Sequence, residues 1–451
     1  MIQSRPASMS GAAIVAGFSS AVFLWVTWFV THLPWLGMDQ GVAAGVILVV
    51  WVISFALSMR GSGLGDSLPD WLITGASGGL ISSVLGLLIL GSKLKPQMSA
   101  GGVAAGSSHP NAAFMALGFL ALGAVVGLLA SVLAYAVRCR CEHQPNQMGR
   151  FAWVTVLAAA PLMFIGGLVT STGSGMAVPD WPTTFGSNMF LYPLGPRVPQ
   201  DIYLEHSHRL FGTLVGCATL VLGLWAALSQ IRGTLKVWFG LVFTLVCLQG
   251  LLGAFRVIQN ERVAALVHGA LAQVIFAGLA AGAVYLSAAH QTARVEDPLP
   301  KARRARILAT SAMHGLILQL LLGAVYRHLR HVHVLYTHIA VAVLVTGAAA
   351  VAGMVALAVA NASPDRRWSP LLRISAGSLI ACVGLQFVLG WAAFGIGSQQ
   401  QATASTVLEA LVRTSHQANG ALLLALTTCV FLLTRRLGRH GNAAEPAAKP
   451  A

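Results

Sequence analysis

The sequence predicts an all-α polytopic membrane protein of about 12 transmembrane helices. Three observations predict it. Of the 451 residues, 56% are hydrophobic and only 9% are Asp, Glu, Lys or Arg, where a soluble domain carries about 25% charge. Mean hydropathy is +0.74, too apolar for a disordered chain. Apolar runs near the ~20 residues a spanning helix needs recur along the chain, separated by loops that hold the Gly, Pro and charge. A soluble globular protein is thereby excluded. The net charge of +15 superficially suggests nucleic acid. Loop anchors that set membrane orientation explain it better, so the lipid bilayer is the expected partner and nucleic acid is not.

The runs cover residues 11–31, 41–59, 71–92, 112–137, 152–172, 207–229, 235–254, 264–287, 304–325, 335–360, 373–395 and 409–434. The first follows a single Arg and shows no evident cleavage site, so it reads as a spanning helix rather than a removed signal. With the N-terminus inside, 19 of the 28 Lys and Arg fall on the inner side. Both termini are therefore expected in the cytoplasm. The longest loop after residue 150, about 173–206, lies on the outer face and carries Gly173-Ser174-Gly175 and Pro179-Asp180-Trp181-Pro182. Loops of this length are usually functional. Cys217, Cys247, Cys382 and Cys429 lie in apolar runs as small hydrophobes. Cys139 and Cys141 form a lone C-x-C in a basic loop, a weak metal signal.

A repeat runs through the second part. Gln249-Gly250-Leu251-Leu252-Gly253, Gln319-Leu320-Leu321-Leu322-Gly323 and Gln386-Phe387-Val388-Leu389-Gly390 each read Q-x-x-L-G. Each is followed by an outer loop and a helix with a His near its start: His268, His338 and His416. His208 is the fourth member, after the Gly166-Gly167 helix and the long loop. Small residues in such phrases allow close helix packing. The expected organisation is a four-helix extension (1–150), two four-helix halves (151–290 and 291–437) and a cytoplasmic tail (438–451).

The chain has fourteen His, and most fall in loops. His208, His268, His338 and His416 share one depth near the outer face, and ionisable groups inside spanning helices usually face a bundle interior with a function. Paired His on facing helices fit a metal ion or bis-His heme. A Zn or Cu site would normally bring Cys, Asp or more His. Heme iron needs one or two axial side chains and an apolar cleft, and Arg209, Arg256, Arg327 and Arg413 stand at the outer level to meet its propionates. Heme is the better fit, in two sites: His208 with His268, and His338 with His416. Glu205 and His208 share a helix face at i and i+3, so Glu205 can steady charge or move protons beside one site. No Glu precedes His338, where Leu335, Tyr336 and Thr337 stand. One site thus reads as reactive and the other as an electron carrier.

Gly166-Gly167-Leu168-Val169-Thr170, the stretch Thr172-Gly173-Ser174-Gly175-Met176-Ala177-Val178-Pro179-Asp180-Trp181-Pro182, and Glu205-His206-Ser207-His208-Arg209 together resemble the heme A synthase family. The Q-x-x-L-G phrases and later His helices match in order, over about 151–434. The resemblance implies two pseudo-symmetric four-helix bundles in a bacterial plasma membrane. It implies oxidation of a methyl group of heme O to a formyl group, for assembly of heme A-type terminal oxidases. By position, His208 and His268 would flank substrate heme O with Glu205 essential beside it, and His338 and His416 would ligate a heme b cofactor. A quinone-linked electron partner and heme O synthase would be the associates. The chain departs from the family's pattern in three places. Thr170-Ser171-Thr172 stands where many members carry an Arg, the outer loop has no Cys pair, and residues 1–150 have no counterpart. A mechanism that needs the thiol pair is excluded.

In residues 1–150, Arg60-Gly61-Ser62-Gly63 and Pro69-Asp70-Trp71 echo the long loop, but on the opposite face. Asp66 and Asp70 form a D-x-x-x-D without the second Asp motif or the helices of a prenyltransferase. An accessory or docking bundle is the expectation. The competing functional readings are a bis-His cytochrome b that only carries electrons, and a repeat-built transporter. The transporter needs polar groups at mid-membrane, whereas these gather at one face.

Overall fold

A computed structural model describes residues 9–94, 111–138, 145–195, 198–292, 299, 301–362, 365, 367–396, 403–404 and 406–437. The C-x-C pair Cys139 and Cys141 and the tail 438–451 lie outside these residues. Among the described residues the only β-pairing is an isolated bridge, Thr184 with Ser187. The helices are α1 (Met9–Thr31), α2 (Gln40–Arg60), α3 (Leu68–Leu90), α4 (Ala112–Ala136), α5 (Gln147–Thr172), α6 (Gln200–Leu228), α7 (Gly233–Gln259), α8 (Arg262–Leu286), α9 (Ala288–Thr292), α10 (Ala302–Leu329), α11 (Val332–Ala362), α12 (Ser369–Gly395) and α13 (Val407–Leu437). All but the five-residue α9 are long and apolar enough to cross a membrane. The chain is an all-α polytopic membrane protein, as expected.

The helices follow the apolar runs, with informative exceptions. α5 starts at Gln147, before the apolar run, because the Asn146 side chain caps it by accepting from Gly149 N at 3.1 Å. α6 starts at Gln200, so its first turns take in the polar residues Gln200, Asp201, Glu205 and His206, which the apolar run leaves out. That early start carries Glu205 and His206 into the packed structure.

The chain forms two compact units, Met1–Glu261 and Arg262–Ala451. In the first, α3 and α4 approach so closely that a Cβ on Gly79 would run into the Gly123 carbonyl, and one on Gly127 into the Gly75 carbonyl. Close contact of small residues is how helices associate where lipid removes the hydrophobic driving force. α1 packs on α2, α3, α5 and α6. Its Trp25 and Phe29 meet Phe211 of α6 at ring distances of 5.4 and 6.0 Å. Tyr203 of α6 donates its hydroxyl to the Phe29 carbonyl at 2.7 Å. In the second unit, α10, α11, α12 and α13 each pack on the next, α13 closes on α10, and α8 lies against α13 and α10.

Candidate active site

In the first unit the site is built where α5 ends and α6 begins. α5 stops at Gly173, whose φ of 75° is a left-handed C-cap that glycine adopts without strain. The chain then folds back over the start of α6. Asp180 organises that loop: its carboxylate accepts from the Thr183 hydroxyl and from the amides of Phe185 and Gly186, both at 2.8 Å. Arg209 fastens the loop to α6. It donates to the carbonyls of Asp180 at 2.6 Å and Val178 at 2.7 Å, and to the Glu205 carboxylate at 2.8 Å. The second Glu205 oxygen accepts from Val178 N at 2.9 Å. With side-chain exposures of 4% for Glu205 and 9% for Arg209, this ion pair is shielded from water. Removing one partner of such a pair typically costs about 3–5 kcal/mol.

Glu205 therefore sits three residues from His208, held by two donors. The Gly166 position touches the His208 ring: a Cβ there would lie 2.9 Å from His208 Cε1. Arg256 reaches the same loop from α7, and a Cβ on Gly175 would fall 2.9 Å from its Cζ. Arg256 also feels the charge of Glu205. Thr170 and Thr172, in the phrase that departs from the family's pattern, bond back to the carbonyls of Gly166 and Leu168. His206, between Glu205 and His208 in the same motif, is fully buried, with Thr184 Oγ1 at 3.1 Å from its Nδ1.

In the second unit His338 on α11 and His416 on α13 come together, their ring centroids 6.3 Å apart and their planes at 77°. Two imidazoles that each bond one metal ion at about 2 Å place their centroids roughly 6 Å apart. Among the described residues the Nδ1 of His416 is buried with no hydrogen-bond partner, and that of His338 is buried with none in good geometry. The repeat phrases position both rings. Gln319 donates to the His338 carbonyl at 2.6 Å, while a Cβ on Gly323 would lie 3.3 Å from His338 Cε1. Asn419 donates to Gln386 Oε1 at 2.8 Å, and a Cβ on Gly390 would lie 3.3 Å from His416 Cε1. The second and third phrases thus use their Gln to pin the next helix and their Gly to seat that helix's His. The donor set, two imidazoles between apolar helices, fits axial ligation of heme.

Sequence reasoning missed Glu409. It is buried on α13 and ion-paired with Arg413, the same i, i+4 spacing as Glu205 and Arg209. Arg327 of α10 interacts electrostatically with Arg330, Arg413 and Glu409. His268 lies on α8 in the second unit and His208 on α6 in the first. Their pairing rests on the sequence pattern.

Fold and site define a class: polytopic helical membrane proteins that seat imidazoles at glycine contacts between helices. Residues 149–342 match the family described as cytochrome oxidase assembly protein. The chain is 31% identical to the heme A synthase of Alkalihalophilus pseudofirmus over 159 residues, which is 34% of this chain and 50% of that protein. It is 35% identical to the heme A synthase of Halalkalibacterium halodurans over 124 residues, 26% of this chain and 40% of that protein. It is 28% identical to the heme A synthase of Rhodopseudomonas palustris over 217 residues, 40% of this chain and 56% of that protein. The chain thus spans about half the length of these curated relatives, or less. No solved structure matches it significantly. Over residues 149–342 the chain is therefore similar to the cytochrome oxidase assembly family, and its curated relatives are heme A synthases, in line with the resemblance its motifs carry.

Proposed function

We propose that this chain oxidises the methyl group of heme O to a formyl group, making heme A for terminal oxidases. The observation that carries this reading is the water-shielded Glu205–Arg209 pair, locked under the outer loop three residues before His208. The second half carries a buried pair of the same spacing, Glu409 with Arg413, but Glu409 stands seven residues from His416, whereas Glu205 stands one helical turn from His208. An electron carrier needs axial His and an apolar cleft, but no carboxylate held one turn from a ligand. The bis-His cytochrome b reading therefore accounts for His338 and His416 and leaves Glu205 unexplained.

In this reading His208 and His268 serve substrate heme O, and Glu205 holds or moves a proton at its carboxylate while Arg209 keeps it oriented. His338 and His416 hold heme b, which supplies one-electron chemistry when bound. Arg256 and Arg327, with Arg209, provide positive charge for propionates at the outer level. Residues 151–290 form the substrate half and 291–437 the heme b half. The site faces the outer side of the bacterial plasma membrane, with both termini cytoplasmic. A quinone-linked system exchanges electrons and heme O synthase supplies substrate.

The test is heme extraction with mass analysis after expression in a host that makes heme O but no heme A. Heme A or its hydroxylated intermediate is expected in the wild type, falling at least about tenfold in Glu205→Ala, about 1.4 kcal/mol of barrier. Unmodified heme alone in the wild type would leave the electron carrier standing.

A further inference from the structure

We propose that the end of the second unit opposite His338 and His416 binds the phosphate headgroups of anionic phospholipids. The site is a cluster of six cations: Lys301, Arg303, Arg304 and Arg306 where α10 begins, and Arg435 and Arg436 where α13 ends. The two helices pack on each other. Leu299 N donates to the Leu437 carbonyl at 3.4 Å, so both sets of cations stand at one corner of the bundle. Ala302, Ala305 and Ala309 of α10 are buried, as are Thr434 and Leu437 of α13. That packing turns the basic side chains outward, and all are exposed except the half-buried Arg306. Nineteen residues separate His416 from Arg435, about 28 Å of helix at 1.5 Å per residue. The hydrocarbon core of a bilayer is about 30 Å thick, so the cations stand at headgroup level.

Membrane orientation alone does not explain the cluster. A spanning chain needs cations on one side, but cations in any loop meet that need. Four of these six stand at the start of α10, the positive pole of the helix dipole, where acids are stabilising and cations are not. α10 has no acid in its first turn and no side-chain cap at Lys301. By contrast α3, α6 and α13 carry Asp70, Asp201 and Glu409 in theirs. The unit does not neutralise the cluster. Among the described residues none of the six is in an ion pair: Glu409 pairs with Arg413 at the other end of α13, and Asp365 with Arg367. Glu296 and Asp297, which precede α10 outside the described residues, would cancel only two of the six charges. The charge that balances the rest therefore comes from outside the protein. Five of the six are Arg, whose planar guanidinium meets two phosphate oxygens at once. Basic clusters of about this size at the end of a spanning helix bind anionic headgroups. An acidic protein would also match the charge, but side chains at headgroup level meet phosphates wherever the bilayer holds the protein. No heme-bearing residue takes part, so this proposal stands or falls independently of the reaction proposed above.

The test uses the purified full chain in phosphatidylcholine bilayers with a trace of spin-labelled phosphatidylglycerol or, separately, spin-labelled phosphatidylcholine. The motionally restricted part of the spectrum reports how strongly each lipid associates with the protein. Phosphatidylglycerol is expected to associate about threefold more strongly than phosphatidylcholine at low salt. Salt at about 0.5 M should bring the two together, because exposed charges are screened. Arg435→Gln with Arg436→Gln should lower the preference. Arg232→Gln with Lys236→Gln removes the same charge between α6 and α7 and should leave it nearly intact. Gln at all five Arg of the cluster should abolish the preference, and Lys at the same five should keep most of it. An unchanged restricted fraction of phosphatidylcholine shows that the five-residue variant is still folded, and the wild-type comparison decides the matter if it is not. Equal association of the two lipids with the wild type would overturn the proposal and leave the cluster to an acidic protein. A preference that survives the five Gln, or that ignores salt, would overturn it too. So would an equal loss in the Arg232 and Lys236 control.

Discussion

At the scale of single residues, the seating of three histidine rings depends on what is absent from a backbone position. Gly166, Gly323 and Gly390 stand against the rings of His208, His338 and His416. A methyl group at 3.3 Å from a ring carbon is tighter than ordinary van der Waals contact, so Gly390→Ala must push His416 by a few tenths of an ångström. Gly384 on the same helix has nothing within 4 Å of its would-be Cβ. Gly384→Ala should be neutral or add about 0.5–1 kcal/mol of helix stability. The expected result is a several-fold loss of bound heme, or a shifted visible band, in Gly390→Ala, with Gly384→Ala unchanged. Equal behaviour of the two variants would show that His416 is not seated by its glycine. The same scale explains what the sequence concealed. Q-x-x-L-G was readable as a repeat, but that its Gln pins a helix and its Gly seats a ring needs the neighbouring helix in view. Glu409 and Arg413 repeat the i, i+4 spacing of Glu205 and Arg209, a signal present in the sequence. A search for carboxylates just before each His passes over it, because Glu409 lies seven residues before His416.

At the scale of elements, the outer loop and α6 act as one piece. Hydropathy locates α6 from Ser207 onward because it registers only apolar residues. The helix actually begins at Gln200, since a polar turn that is buried under a loop is still helical. The E-x-x-H-R spacing made Glu205 and His208 legible, whereas the fold of the loop over them was not, since it depends on Arg209 reaching two loop carbonyls. Asp180 gives this element a pH dependence. Burial alone would raise its pKa, but the bonds from Thr183, Gly186 and Phe185 outweigh burial and hold it below the ordinary carboxylate range. A depressed folded-state pKa contributes stability that is present above the unfolded value of about 3.9 and is lost as pH falls through the folded value. Amide exchange in residues 177–187, corrected for intrinsic rates, should therefore be flat from neutrality to about pH 4 and then rise. In Asp180→Asn the loop should exchange several-fold faster at neutral pH, without the acid rise. An acid transition that persists in that variant would assign it to another group.

At the scale of the whole molecule, the N-terminal helices belong to the same compact unit as the loop and α6. Hydropathy cannot reveal this, because a helix facing lipid and a helix facing another helix have the same composition. The packing explains what such an extension does for the site. Trp28 and Phe29 of α1 stack on Tyr203 at 6.0 and 5.6 Å, and Tyr203 lies two residues before Glu205. The hydroxyl bond to the Phe29 carbonyl adds a directional tie. Hydrogen bonds between membrane helices average about 0.6 kcal/mol and reach about 1.7, so Tyr203→Phe should lower stability to denaturing detergent by no more than that. Truncating a buried aromatic removes the stacking and leaves a cavity, a loss of about 3–5 kcal/mol in soluble cores and the larger of the two effects here. Tyr203→Ala should therefore loosen the start of α6 as well as the bundle. Exchange at residues 200–206 should rise in Tyr203→Ala and stay near wild type in Tyr203→Phe. If α1 were only a membrane anchor, Tyr203→Ala would weaken the packing without changing exchange at the turn that carries Glu205. A rise confined to that turn would mean that the extension holds the carboxylate in place through the helix on which it stands.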